Sequence, residues 1–492
     1  MRNETICLKG GKKETEKKLL LSILSAALLL NVFSCGVRKE KMPELTWIVP
    51  YDEVDGFDET ERRINDITAK RLGITVNIEC VNADEYKKRV DAMNEVGDDI
   101  DLCYTGFYAD DYRARVRDGR LMELNGLLEY TPALRRTLPD YLWDGAEING
   151  KIYAVPNQQI EATSTGLVIL KDLADKYKLD VSKVKSIDDV EPFMEQIKQN
   201  EPNVYPIRIN WGPDGIQSID SNEFQEMFYA GVYVKNVDGK IKVKIATEDE
   251  KRKNSAQKIY EWYSKGYIRK DIAIANDAAT DLADGKYAMW FETYKPGVEH
   301  QRKLMTGNDV YAAQISKPYI AATSVQGAMT GINSSSKHPI EAIKLLELVN
   351  TEPDILNLIT YGIENKNYKK ISPNVVERSD EVFSCPTWLF GNQFIIYTDS
   401  RESADVWEQT KKINDTAVKS PIVGFEADTS MLTGEYAKCW EVLDRYTVID
   451  SGTENPQKYW DKLDRELRAA GAEKIKQEFE KQIKEFLLKK QN

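Results

Sequence analysis

The chain has 492 residues, of which 41% are hydrophobic and 30% charged, and its formal net charge is −12 at pH 7. This composition excludes a disordered chain and a membrane-embedded bundle, and the length predicts about three domains or two large lobes. The acidic balance argues against a nucleic-acid-binding protein, because such proteins present an excess of Lys and Arg to phosphates.

The side chains that usually hold metals are scarce. The chain has only two histidines, His300 and His338, and no Cys-x-x-Cys pair. A zinc site and a His-dependent triad are therefore nearly excluded, and we expect no metal and no cofactor. Four cysteines beyond the N-terminal region are widely spaced, and for them both buried thiols and disulfides remain open: Cys80, Cys103, Cys385 and Cys439.

Residues 1–34 have the features of a secretory signal peptide. Two lysines precede an apolar run of about fifteen residues, which is short for a membrane span. Residues 32–36, Val-Phe-Ser-Cys-Gly, resemble the bacterial lipobox, in which a signal peptidase cuts before a lipidated cysteine. The resemblance implies that Cys35 carries lipid, that 35–43 is a tether, and that the protein is anchored to the extracytoplasmic face of the cell membrane. The alternative is an ordinary signal peptide with an incidental cysteine.

Beyond the tether, strand and helix patterns alternate over 45–50, 58–72, 74–80, 86–93 and 99–104. This order is typical of a doubly wound α/β layer with parallel strands. Asp238 and Gly239 predict the turn of a hairpin over 232–243. Apolar residues at helical spacing predict two helices at the C-terminus, over 456–470 and 475–486.

Several short segments, in their order and spacing, resemble the extracellular solute-binding proteins of bacterial ABC importers, in the branch related to maltose-binding protein. The C-terminal segments resemble a Gram-positive lipoprotein subgroup whose C-terminal region is a domain of its own. The segments that carry the resemblance are 99–106, 119–124, 150–156, 167–173, 282–290, 327–333, 339–346, 388–393 and 423–425.

The resemblance implies an α/β, two-lobed periplasmic-binding-protein-like fold of type II, in which each lobe is a sheet flanked by helices and a hinge joins the lobes. The expected lobe 1 comprises 44–160 and 312–362. The expected lobe 2 comprises 163–308 and 365–492, with a helical part from about 420 onward. The expected hinge segments are 157–164, 308–316 and 360–370.

The same resemblance implies the partners. A small solute, expected to be an oligosaccharide, would shift an open–closed equilibrium, and the closed monomer would dock on ABC permease subunits in the membrane. The sequence contains no ATPase motif, so the energy for transport would come from a partner. Two alternatives stay open: a secreted glycosidase, and a lipoprotein that binds peptides. No Gly-x-Ser-x-Gly or His-Glu-x-x-His motif is present to favour an enzyme.

The candidate ligand contacts are chosen by position. Ligands of open α/β sheets bind beyond the carboxyl ends of the strands, and sugars stack on aromatic rings and bond to planar polar groups. The candidates therefore lie at strand ends, on the first hinge segment and in aromatic-containing loops. They are Tyr51, Asp52, Thr105, Gly106, Gln158, Gln159, Trp211, Trp290, Glu292, Trp388 and Asn392.

Overall fold

The computed structural model describes residues 42–209, 223–272, 279–379, 383 and 385–490. The predicted signal peptide, Cys35 and the candidate ligand contact Trp211 lie outside these ranges. The described chain forms two α/β lobes and a third, smaller core. None of the described helices is long and apolar enough to cross a bilayer.

Lobe 1 is built on a five-stranded sheet, which consists of β1 (Glu44–Pro50), β2 (Thr75–Val81), β3 (Leu102–Thr105), β6 (Ala154–Pro156) and β14 (Met329–Ile332). The order across the sheet is β2-β1-β3-β14-β6. The first three strands run parallel, as predicted, whereas β14 runs antiparallel to β3 and β6. Trp47, Ile48 and Val49 are fully buried, which is typical of a strand covered by helices on both faces.

The helices of lobe 1 pack their apolar stripes on this sheet. In the second helix Tyr86, Val90 and Met93 are buried, at the spacing that the sequence predicts. These helices are α1 (Phe57–Leu72), α2 (Ala83–Val96), α3 (Tyr112–Arg117), α4 (Pro132–Thr137), α5 (Asp140–Ala146), α11 (Pro339–Thr351) and α12 (Pro353–Tyr361).

Lobe 2 has an antiparallel sheet of β7 (Thr165–Leu170) between β11 (Met289–Thr293) and β12 (Val310–Gln314). Its core contains Trp262 and Trp290, which are 0% and 2% exposed. The helices of this part of the chain are α6 (Lys171–Lys176), α7 (Glu191–Asn200), α8 (Glu250–Lys265), α9 (Ala279–Ala283) and α10 (Val298–Thr306).

The third core joins a meander of strands to the C-terminal helices. The predicted hairpin is confirmed: Asp238 and Gly239 have φ angles of 51° and 80°, and two residues with positive φ are what a type I′ turn requires. The elements of this core are β8 (Glu223–Tyr229), β9 (Val232–Val237), β10 (Lys240–Ile245), α14 (Thr433–Arg445), α15 (Thr447–Asp450), α16 (Trp460–Ala470) and α17 (Ala472–Lys490).

Short elements fill the connections. They are the strands β4 (Glu147–Ile148), β5 (Lys151–Ile152), β13 (Tyr319–Ile320), β15 (Tyr368–Ser372), β16 (Val375–Arg378), β17 (Thr398–Asp399) and β18 (Val418–Lys419), and helix α13 (Val406–Thr416). Single 3₁₀ turns occupy 127–130, 181–183, 187–190, 246–248, 324–327, 387–389, 393–395, 430–432 and 456–458.

The connections between the lobe sheets differ in part from the predicted hinge segments. Residues 157–164 connect β6 of lobe 1 to β7 of lobe 2, at the predicted place. The return connection starts later than 308–316, because β12 stays paired with β7 as far as Gln314, opposite Gly166. The chain therefore passes back to lobe 1 over 315–328.

The packing of the C-terminal third also differs from the predicted lobe 2 boundary at 365. Tyr368, Val376, Phe390 and Val423 belong to the core of lobe 1, and the Phe390 ring meets Trp47 edge to face at 5.2 Å. The chain stays with lobe 1 because these side chains fill its core. The described residues from Phe425 onward pack instead in the third core.

The third core is attached to the return connection by a buried carboxylate. Glu226 of β8 is 6% exposed and accepts hydrogen bonds from the Tyr319 hydroxyl, the Ser420 hydroxyl (2.7 Å) and the Ala322 amide (2.9 Å). A buried carboxylate with several donors of this kind is expensive to leave unpaired. It therefore fixes β8 to the chain that re-enters lobe 1.

We predict that Gly106→Ala destabilises lobe 1. Gly106 follows β3 with a φ of 151°, and a Cβ there would lie 2.5 Å from the carbonyl oxygen of Gly327. Relief of that overlap requires a backbone shift, so we expect a loss of about 1–3 kcal/mol of unfolding free energy in chemical denaturation. Gly126→Ala is the control, because a Cβ at Gly126 has open space around it. Equal stability of the two variants would contradict the prediction.

Candidate ligand-binding site

The carboxyl edge of the lobe 1 sheet brings four of the candidate residues together. β1 and β3 are parallel neighbours, so Tyr51 and Thr105 lie at the same edge, with Asp52 and Gly106 directly after them. Tyr51 is half-buried, whereas Asp52 is exposed and accepts a hydrogen bond of 2.8 Å from the Asn82 amide. The Thr105 side chain is fully buried. Tyr51 and Asp52 therefore provide the accessible side chains of this edge.

An aromatic cluster continues the edge. The half-buried Trp388 ring meets Tyr108 edge to face at 5.2 Å and Tyr104 at 6.2 Å. Phe107 and Tyr108 are 52% and 53% exposed. Sequence reasoning missed these two rings, although two aromatic residues directly after a strand end with the sequence Thr-Gly are a signal that could have found them. The cluster presents partly exposed ring surface of the kind that stacks on sugars.

Beside Trp388 is a cavity of about 600 Å³. Its volume falls within the range of about 300–1,000 Å³ that is typical of small-molecule sites. The first hinge segment, the region of α10 in lobe 2 and several described residues between 378 and 410 contribute to its wall. The residues that line it include Ile160, Lys295, Gln301, Arg378, Trp388, Asp399, Arg401, Glu402, Trp407 and Thr410.

Three polar groups of this cavity make no hydrogen bond with the described protein, although the charges of Lys295 and Glu402 attract each other. The Lys295 ammonium has no ion pair or hydrogen bond with a described residue, and burial lowers its pKa. Burial raises the pKa of Glu402, and the neighbouring charge of Asp399 raises it further. No described group donates a hydrogen bond to the Glu402 carboxylate. The Gln301 side-chain oxygen is shielded from solvent and has no partner in the described part of the chain. A ligand can therefore find one donor and two acceptors here.

The other charges of the cavity are engaged. Arg401 donates to both oxygens of Asp399, at 2.9 and 2.7 Å, and Arg378 donates to the same carboxylate at 3.2 Å. Although burial raises the pKa of Asp399, these two arginines hold it below its ordinary value. Asp399 is thus a fixed anion that holds its arginines in place.

Three candidates have structural partners instead of a cavity surface. Trp290 lies in the core of lobe 2, so its ring is covered by protein. Glu292 forms an ion pair of 2.7 Å with Arg302, which fixes α10 beside the cavity. Asn392 is 3% exposed and uses both ends of its amide: it accepts from the Phe394 amide at 3.0 Å and donates to the Asn350 carbonyl at 3.2 Å.

The two glutamines of the first hinge segment act through their backbone. The Gln158 carbonyl accepts a hydrogen bond of 2.8 Å from the Gln393 amide, and the Gln159 amide donates to Glu161 at 3.0 Å. Sequence reasoning chose these positions for their polar side chains. It missed Lys295, Gln301, Glu402 and Trp407, whose residue types are unremarkable where they occur and which only the fold brings together.

Among the described residues we find neither a metal-binding cluster nor a disulfide bond. No cluster of three His, Cys, Asp or Glu side chains there is arranged to hold a metal ion. The four cysteines that the sequence left open, Cys80, Cys103, Cys385 and Cys439, are free thiols in this structure.

Comparison with known proteins gives matches over most of the chain. A family described as a domain of unknown function (DUF3502) matches residues 421–488. A carbohydrate ABC transporter substrate-binding protein of Streptococcus pneumoniae is 28% identical over 453 residues, which is 89% of this chain and 90% of that protein.

Solved structures agree with this match. The crystal structure of the N-glycan transport solute-binding protein NgtS from Streptococcus pneumoniae has a TM-score of 0.81 at 27% identity, and the alignment covers 91% of this chain and all of NgtS. NgtS in complex with Man5GlcNAc gives a TM-score of 0.66 at 28% identity, over 91% and 99% of the chains. In sequence and in fold, the chain is similar to the two-lobed solute-binding proteins of carbohydrate ABC transporters.

Proposed function

We propose that this protein is the extracytoplasmic solute-binding component of an ABC importer and captures an oligosaccharide in the cavity beside Trp388. The observation that carries the proposal is the composition of this cavity, in which two partly exposed tryptophans lie next to polar groups that have no hydrogen-bond partner in the described protein. The relatives include NgtS, which has been crystallised with Man1GlcNAc and with Man5GlcNAc.

The two kinds of side chain suit the two surfaces of a sugar. The apolar face of a pyranose ring gains from stacking on Trp388 or Trp407, and its hydroxyls need both donors and acceptors. Lys295 donates, while Glu402 and the Gln301 oxygen accept. Because these groups are partly withdrawn from water, each gains more from a ligand hydroxyl than an exposed group would.

The same cavity favours binding over glycoside hydrolysis. Glycosidases that use two carboxylates need one as an acid and one as a base or nucleophile. Of the two carboxylates that line the cavity, Asp399 is held by two arginines, so only Glu402 is available. The relatives are likewise described as solute-binding proteins.

A change in lobe arrangement on binding is part of the proposal. NgtS superposes on this chain with a TM-score of 0.81 in one structure and 0.66 in its Man5GlcNAc complex, so that protein differs between the two. We propose that this chain likewise closes on its ligand as a monomer, and that the closed form is what docks on the permease.

The proposed location is the outer face of the cell membrane. The signal-like residues 1–34 and the lipobox-like residues 32–36 support secretion and lipid attachment at Cys35. Two or three acyl chains anchor a protein durably, whereas one gives only reversible attachment.

We predict that Trp388→Ala weakens glycan binding with a limited effect on stability. The loss of a stacking ring should lower the affinity for Man5GlcNAc by about 1–3 kcal/mol, measured by calorimetric titration alongside a panel of glycans and peptides. We also expect the intact protein to bind peptides more weakly than glycans.

Trp460→Ala is the matched control. Trp460 is 6% exposed in the third core and donates to the Thr247 carbonyl at 3.1 Å. Its truncation should lower the unfolding free energy by about 3–5 kcal/mol and leave the affinity of the folded fraction unchanged. A Trp388 variant that unfolds but binds normally when folded would count against this site.

We predict that Cys35→Ala releases the protein from the membrane fraction of its host cell. The thioether and amide attachment of lipid both require this cysteine, so the variant should appear in the soluble extracytoplasmic fraction with altered gel mobility. Lys39→Ala serves as a control for changes in the tether that leave the cysteine in place. A Cys35→Ala variant that stays in the membrane fraction with unchanged mobility would show that lipidation is not the anchor.

A further inference from the structure

A single asparagine clasps the first hinge segment. Asn414 of α13 is 1% exposed. Its side-chain oxygen accepts from the amides of Glu161 and Ala162, both at 3.1 Å. Its side-chain nitrogen donates to the Gln159 carbonyl at 2.6 Å and to the Glu161 carboxyl group. One side chain thus satisfies four polar groups within four consecutive residues of the connection between the lobes. We call these four hydrogen bonds the clasp.

The clasped residues are part of the cavity wall. Ile160 lies between the bonded residues and lines the cavity. Helix α13 lines it too, through Val406, Trp407 and Thr410, and Asn414 follows Thr410 by one turn on the same face. Helix α13 therefore both contributes Trp407 to the cavity wall and holds the first hinge segment, which connects lobe 1 to lobe 2.

Because Glu161 is buried, the clasp is sensitive to the loss of either Asn414 or Glu161. Glu161 is 4% exposed, and the Tyr141 hydroxyl donates to it at 3.2 Å. Burial raises the pKa of Glu161 to about 8, and hydrogen bonds from Gln159, Tyr141 and Asn414 counteract part of that rise. Two further charges lie near Tyr141: the Lys419 ammonium is 5.2 Å from the centre of its ring, and the charge of Asp415 contributes to raising its pKa, after burial and Glu161.

We propose that Asn414 is a positioning residue of the binding site, which fixes the first hinge segment and the cavity wall at Ile160 relative to α13. The inference rests on the proposed function for its link to ligand affinity, whereas the clasp itself can be tested without a ligand. Loss of Asn414 would leave two buried amides and one carbonyl without partners, so the segment would have to move or take up water.

The first test is hydrogen exchange of the ligand-free protein. In Asn414→Leu we expect the amides of Glu161 and Ala162 to exchange at least about tenfold faster than in the wild type. Asn65→Leu is the control, because Asn65 makes a comparable pair of bonds to the backbone of Val76, at 2.6 and 3.0 Å, far along the chain from the hinge. Unchanged exchange at Glu161 and Ala162 in Asn414→Leu, or an equal change there in Asn65→Leu, would overturn the proposal.

The second test adds a ligand. With Man5GlcNAc as the probe, Asn414→Leu should bind about tenfold more weakly and Asn65→Leu should bind as the wild type does. If the wild type binds no glycan, the proposed function fails, while the exchange experiment still decides whether the clasp holds the hinge.

A polarity swap separates positioning from simple loss of fold, and it also serves if Asn414→Leu does not fold. Asn414→Asp keeps the acceptor for both amides but places a carboxylate against Glu161. Between pH 6 and 9, as Glu161 loses its proton, exchange at the hinge amides of this variant should therefore rise more steeply than it does in the wild type. Asn414→Asp with Glu161→Gln returns a donor to the pair and should restore slow exchange at all these pH values. Failure of the double variant to restore it would contradict the proposal.

Glu161→Gln alone gives the matching stability profile. The protonated Glu161 carboxyl stabilises the folded state fully below its ordinary pKa of 4.5, and this stabilisation is lost as pH rises through about 8. The melting temperature of the wild type should therefore fall relative to that of Glu161→Gln across this interval. Parallel profiles would contradict the burial of this carboxyl and the rise in its pKa.

Discussion

The largely buried backbone of residues 157–164 is the constraint on which this molecule depends. A chain that leaves one sheet to enter another gives up the strand partners of its amides and carbonyls, and buried groups of this kind have to be satisfied elsewhere. Here Asn414, Tyr319 and Gln393 supply the partners, at 2.6–3.1 Å. The connection is therefore ordered without belonging to either sheet. A segment of this kind can carry a lobe and still allow it to rotate.

The proposed binding cavity follows from that arrangement. Its wall contains the hinge segment at Ile160, a helix of lobe 2 that Glu292 and Arg302 fix, and the aromatic edge of lobe 1 at Trp388. A ligand that bridges these parts gains contacts only when they approach each other, so its differential affinity can shift the equilibrium toward closure. The polar groups that lack a hydrogen-bond partner in the described chain, such as Lys295 and Glu402, suit a ligand that brings its own hydroxyls.

Local patterns predicted the fold better than the site. The alternation of strands and helices up to β3, and the Asp238–Gly239 turn, follow from short-range periodicity and turn chemistry, and both are present. The parallel edge after β1 and β3 was predictable for the same reason. Trp290 lies in a strand and Trp388 in a short turn. The residues around each of them do not reveal that Trp290 is buried whereas Trp388 lines a cavity. The placement of residues 368–423 depends on long-range packing such as the Trp47–Phe390 contact, which one sequence does not reveal.

Closure of the two lobes on an oligosaccharide would be visible in small-angle scattering. The radius of gyration of the purified protein is measured without ligand and with a saturating glycan, beginning with Man5GlcNAc, that raises the melting temperature. A ligand at a hundred times its dissociation constant raises the unfolding free energy by about 2.7 kcal/mol, so binding is detected independently of shape. We expect a smaller radius of gyration with that glycan. A glycan that raises the melting temperature and leaves the radius of gyration unchanged would contradict it.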